Sequence, residues 1–175
     1  PQFKYYKRLK IIDSLNSKLR DKYDNYLILA SLILDQTNNH EYFCHKYKMS
    51  NSIENRFKYI SINFENLGEK KFFSEENLKK LIYLSNKSSV RDLLLFSICA
   101  NKKIKTLSIE KLINYVSKCE IPKFPISGDY LKKYGYETGE VLGKKLKSLE
   151  GKWIENNFII EQKVVDKSLG KDTKD

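Results

Sequence analysis

Residues 125–158 read PISGDYLKKYGYETGEVLGKKLKSLEGKWIENNF, and they decide how the rest of the chain is read. The stretch predicts two helices folded on each other. Ser127 can cap the first, from about 128 to 134, because its hydroxyl accepts one of the amide hydrogens that a helix start leaves free. Gly135 lets the backbone reverse where a side chain would clash. Thr138 stands ready to cap the second, from about 139 to 156. Gly139 and Gly143, four apart, fall on one face and leave it bare, so that another backbone can come close. Leu142, Leu146, Leu149, Trp153 and Ile154 follow helical spacing and form the expected buried side. Lys144, Lys145, Lys147 and Lys152 then lie mostly outward.

Upstream of this module the periodicity is helical throughout. Tyr6, Leu9, Ile12, Leu15 and Leu19 form one stripe. Asp24 or Asn25 can cap a second helix running to about Asp35, apolar nearly all round and expected at the centre of the core. A short helix carries Tyr42, Phe43 and Tyr47. Ser50 or Ser52 opens the next, with Ile53, Phe57, Ile60, Phe64 and Leu67 as its stripe and Gly68 where a left-handed residue would end it. Ser74, followed by Glu75 and Glu76 at the positive end of the dipole, starts another. Ser88 and Ser108 are the expected caps of two more, with Leu93 to Cys99 and then Leu112, Ile113 and Val116 inward. Two of the three prolines sit in residues 120–126 and break the helical pattern. The expected organisation is therefore all-α: a multi-helix body over 1–120, a small helical tail domain over 121–160, and a disordered end over 161–175. Phe158 to Ile160 is the one stretch that reads as extended.

Composition agrees with that class. Hydrophobic residues make up 41% and charged residues 31% of the 175, too apolar for a disordered chain. With only 7 glycines, turn formers are too few for a barrel or sandwich of many short strands. No apolar run is long enough to span a bilayer, and the N-terminus lacks a signal peptide's apolar core, so a cytoplasmic protein is expected. The chain opens on Pro1 and is expected to be part of a longer one. Cys44, Cys99 and Cys119, odd in number and widely spaced, suit reduced thiols. The net charge of +11 points to a polyanionic partner, against the bland reading that a lysine-rich composition alone produces it. The excess is uneven: 22 basic against 13 acidic residues over 1–120, and 11 against 9 over 121–175.

Residues 125–158 resemble the tail of bacterial class II CCA-adding tRNA nucleotidyltransferases and poly(A) polymerases. That family's Pro-hydrophobic-Ser-Gly start, spaced glycines and terminal Trp are matched by Pro125, Ser127, Gly128, Leu131, Gly135, Gly139, Gly143, Leu146, Leu149 and Trp153. Ser50-Asn51 with Arg56, and the helix Ser88-Ser89-Val90-Arg91-Asp92-Leu93-Leu94, are similar to stretches of the same family's body domain. The similarity covers roughly residues 1–160, and the tail is its specific part. Tyr130 stands where the family has an Asp, with Asp129 one place earlier, and Thr138 and Glu140 replace common prolines.

The resemblance implies a division of labour. A head domain would hold two Mg2+ ions and ATP or CTP, and add CCA or A residues to RNA 3′ ends. Body and tail would position the tRNA acceptor arm and elbow by backbone and shape. No Gly-Ser followed by an Asp-x-Asp pair occurs here, so no catalytic residue is assigned and the chain alone is expected to be inactive. The expected partners are tRNA or other RNA 3′ ends and the protein's own head and neck, with no membrane. The expected RNA-contacting residues are Ser127, Gly128, Lys132, Lys133, Gly139, Lys144, Lys145 and Lys147, with helix amides near both glycines available to phosphate. No metal site is expected: His40, Cys44 and His45 follow no common zinc spacing. The alternatives are a non-enzymatic helical scaffold that binds protein and, less favoured, a helical hydrolase, for which no His-Asp doublet or carboxylate cluster is present.

Overall fold

The computed structural model describes residues 5–101 and 104–169. Among these lie eleven α-helices, one 3-10 turn and no strand, so the chain is all-α. It divides into two compact units, Pro1–Cys119 and Glu120–Asp175.

In the first unit the helices are α1 (Lys7–Asp13), α2 (Ser17–Arg20), α3 (Asn25–Ile33), α4 (Asn39–Lys46), α5 (Asn51–Asn63), α6 (Glu75–Leu84), α7 (Lys87–Ala100) and α8 (Thr106–Lys118). The centre is α7, not α3. Every residue from Asp92 to Cys99 is buried, and α7 packs against α1, α3, α5, α6 and α8. Burying each of its large apolar side chains is worth about 1.5–3 kcal/mol. By contrast α3 turns Tyr26 outward, because it lies at the edge of the packing and buries one side through Leu27, Ala30 and Ile33.

The first expected helix is two. Ser14 ends α1, its hydroxyl donating to the Ile11 carbonyl, and Asn16 starts α2 by accepting from the Leu19 amide. Tyr6 is exposed, but Arg8 is buried. Its guanidinium donates to the Ser31 and Leu34 carbonyls at 3.2 and 2.7 Å and lies against the rings of Tyr5, Phe64 and Phe96. A cation thus closes the carbonyl end of α3, where the helix dipole favours one. Burial holds its pKa below the usual arginine value.

Several caps differ from expectation. Asn86, not Ser88, caps α7 through the Ser89 amide. Helix α8 opens at Thr106 with no side-chain cap, ahead of Ser108. Gly68 closes a 3-10 turn over Glu65–Gly68 and does not take a positive φ. Asp24 and Ser74 do cap α3 and α6, accepting from the Leu27 and Asn77 amides.

The second unit contains α9 (Gly128–Lys132), α10 (Glu140–Glu155) and α11 (Gln162–Ser168). Leu131, Leu142 and Leu149 form its core, with Phe124, Ile126, Tyr136, Leu146, Ile160 and Leu169 packed around them. Trp153 is buried between Phe124 and Phe158, ring centroids 5.3 and 4.9 Å away. Residues 162–168, expected to be disordered, form α11. Val165 is buried and Leu169 joins the core, an apolar pair at helical spacing that the flanking charges hide in the sequence. The rest of that expected end, 170–175, lies outside the described residues. Phe158 is not extended: Asn157 and Phe158 have φ of 53° and 65° and turn the chain back after α10.

Candidate nucleic-acid interface

All eight residues expected to touch RNA lie in the second unit, on or beside α9 and α10. Ser127 caps α9, its Oγ accepting from the Tyr130 amide at 3.2 Å. Gly128 is half-buried, and a Cβ there would make ordinary van der Waals contact with Leu142 Cδ2 at 3.5 Å, so the position faces α10 without requiring a glycine. Lys132 pairs with Asp129 at 3.0 Å, and Lys144 with Glu140 at 2.6 Å. Both pairs are solvent-exposed and therefore weak, so an incoming phosphate can displace the carboxylate. Lys145 is half-buried, its Nζ 6.0 Å from the Tyr136 ring centre. Lys133 and Lys147 are exposed.

Gly139, rather than Thr138, is the N-cap of α10, and no side chain caps that helix start. Its φ of 151° lies in a region that only glycine enters freely. Gly143 follows four residues on, on the same side of the helix, and both glycines are exposed; Gly151, twelve residues on, lies about a third of a turn further round and is half-buried. A Cβ at Gly139, Gly143 or Gly151 would meet nothing within 4 Å. At Gly139 and Gly143 the bare surface that the sequence suggests is therefore open, whereas further along α10 the Lys152 Nζ donates to Ser168 Oγ of α11 at 2.8 Å. Lys147 follows Gly143 by one turn on that side, and Lys144 lies about a quarter-turn away round the helix. Free amides at an uncapped helix start, the positive end of the dipole, an uncovered backbone and two lysines together suit a phosphodiester track.

The tyrosines beside this surface are engaged within the unit. Tyr130 and Tyr134 share a hydroxyl hydrogen bond at 3.0 Å and pack ring on ring. Tyr136 is half-buried against the core.

In the first unit the two stretches that carry the resemblance meet. Arg56 of α5 hydrogen-bonds through Nε to Asp92 of α7, and through Nη1 to Asp24 at 2.6 Å. Asp92 is 2% exposed, and Arg91 is a looser partner at 3.5 Å. These residues line a polar cleft of about 630 Å3 with Ser52, Asn55, Asn86, Ser88 and Ser89. Burial opposes ionisation of Asp24, but bonds from Arg56 and the Leu27 amide outweigh it, leaving the carboxyl below its ordinary range. Burial likewise opposes the Arg56 charge and is outweighed by both carboxylates, which raise its pKa. The periodicity did not single out Arg56. The signal was a basic residue at a fixed distance from Ser50-Asn51, interpretable only through the resemblance.

His40 is buried with both ring nitrogens lacking a hydrogen-bond partner, while His45 is exposed. Among the described residues no group of three or more His, Cys, Asp or Glu is arranged to hold a metal. No described helix is long and apolar enough to cross a membrane. No family model matches the chain, and no curated protein matches it by sequence.

Proposed function

We propose that this chain is the RNA-gripping part of a template-independent nucleotidyltransferase that adds CCA or A residues to RNA 3′ ends, and that it carries none of the chemistry. The carrying observation is the open backbone at Gly139 and Gly143 at the start of α10, with Lys147 one turn further on the same side and Lys144 nearby on the same helix. A helix that exposes its backbone loses stability for nothing unless something approaches it closely. A sugar-phosphate strand beside lysines is such a partner, and duplex RNA, read by shape along its shallow groove, supplies a regular one. The motif spacing over 125–153 agrees, and the +11 net charge is in keeping with it. Mg2+ and ATP or CTP then belong to a head domain, which would select the nucleotide.

The test is a tRNA titration at two salt concentrations. Lys144→Glu/Lys147→Glu should weaken binding several-fold and flatten the salt dependence by roughly one to two phosphate contacts. Unchanged affinity and slope would remove α10 from the interface. A protein-binding scaffold would show no salt-dependent tRNA binding at all. Nucleotide incorporation by this chain alone would overturn the assignment of chemistry elsewhere.

A further inference from the structure

Helix α4 presents a different surface. Tyr42 is 69% and Tyr47 51% exposed, and what sets them apart from the unit's other exposed apolar side chains is the cation they share. Lys46 lies between them, its Nζ 5.8 Å from the centre of each ring. Phe43 backs Tyr47 at 4.6 Å between ring centres and so limits the ring's freedom. His45 is exposed on the same helix, and Glu41 is its single acidic residue. The helix ends with the Met49 amide bonded to the Cys44 carbonyl at 2.9 Å and the Lys48 amide to that of His45 at 3.2 Å. In that closure the left-handed position, at φ 50°, is held by Lys48. Glycine is the residue that adopts this conformation without strain. An exposed lysine thus occupies a strained position next in sequence to Tyr47.

On the premise that the chain binds RNA, we infer that the surface from Tyr42 to Lys48, formed by the end of α4 and the turn after it, is a stacking site for unpaired nucleotides, a different set of residues from the duplex-gripping strip on α10. Splayed bases have free π faces that stack on tyrosine, and their phosphates fall to Lys46 and Lys48. Paired bases hide those faces inside the duplex, so a helix of RNA gains little here. An acidic protein would engage the lysines but leave both rings uncovered.

The experiment uses the whole chain with two labelled probes, a single-stranded hexa-adenylate and a blunt RNA duplex of about twelve base pairs. Tyr42→Ala/Tyr47→Ala should weaken hexa-adenylate binding by about tenfold or more, with duplex affinity within about twofold of the parent. Tyr42→Phe/Tyr47→Phe should keep the hexa-adenylate affinity, because stacking needs the ring and not the hydroxyl. Lys48→Gly should raise Tm by about 2–4 °C yet weaken hexa-adenylate binding several-fold, a pairing of signs that a merely structural lysine cannot give. Lys144→Glu/Lys147→Glu should do the converse of the tyrosine change, lowering duplex affinity alone. Loss of duplex binding in no variant would sink the α10 reading and leave this one standing. Hexa-adenylate binding that is absent, or indifferent to Tyr42→Ala/Tyr47→Ala, overturns the stacking site; so does equal competition by polyglutamate against every variant.

Discussion

Replacing Arg56 with Met should be the most damaging single change on the partly exposed side of the first unit. Arg56 supplies the closest cation to Asp92, a carboxylate only 2% exposed, and also holds Asp24 at 2.6 Å. Removing one partner of a buried pair costs about 3–5 kcal/mol, since the remaining charge has lost its compensation. Arg91 Nη2, 3.5 Å from the other Asp92 oxygen, can move closer and take up part of the loss. That places the expected destabilisation near the lower figure, about 3 kcal/mol. With a urea slope of about 2 kcal/mol per molar, the midpoint followed by far-UV circular dichroism should fall by about 1.5 M. Asp92→Leu removes the buried charge together with the need for its partner, so Arg56→Met/Asp92→Leu should cost about 2 kcal/mol less than the two single changes summed. A loss below about 1 kcal/mol for Arg56→Met, or additive single changes, would show that the pair behaves as an ordinary surface salt bridge.

Other consequences can be measured in the same way. Gly143→Ala and Gly139→Ala should have opposite signs when unfolding is followed by Trp153 fluorescence. The first fills open space in a helix interior and should stabilise by about 0.5–1 kcal/mol; the second forces φ 151° on a side chain and should cost about 1–3 kcal/mol. Because the folded Asp24 carboxyl titrates below its unfolded value of about 3.9, its contribution is full above that pH and lost as pH falls through the folded value. The stability gap between the parent and Asp24→Asn should therefore shrink below about pH 4 and hold steady from pH 5 to 8. Cys44, Cys99 and Cys119 are all buried, and burial raises the first two thiols above their usual pKa. A disulfide thiol reagent should react with none of the three within minutes at pH 8, and with all three in denaturant.

What the sequence makes legible follows from how local each cause is. A cap or a helical stripe is written within four or five residues, which is why the all-α class, Asp24, Ser74 and Ser127 as caps, and the bare strip at Gly139 and Gly143 can be read directly. Long-range partners have no such signature. Arg8 is one basic residue among many in the sequence, yet it is buried because α3 ends over it, leaving two carbonyls 23 and 26 residues away that need a donor. The ranking of helices fails for a related reason. The segment of α3 is the more uniformly apolar, but centrality depends on how many neighbours surround a helix, and five surround α7.

Within the candidate site the same distinction separates the eight residues. Lysine spacing placed the cations on two helices but could not tell Lys147, which is unpaired on the bare strip, from Lys145, which turns half-buried toward Tyr136. Nor could it show that Gly128 faces a neighbour, with Leu142 3.5 Å from the missing Cβ, while Gly143 faces open space. Identical residues in one motif thus stand in different surroundings: a side chain added at Gly128 would touch the unit's core, and one added at Gly143 would project into open space. If that division is sound, Gly128→Ala should change stability with little effect on tRNA affinity, whereas a bulky residue at Gly143 should do the reverse. Paired measurement of urea midpoint and tRNA affinity on the two variants decides it. Parallel losses in both quantities for both variants would mean that the strip is only an unfilled part of the fold.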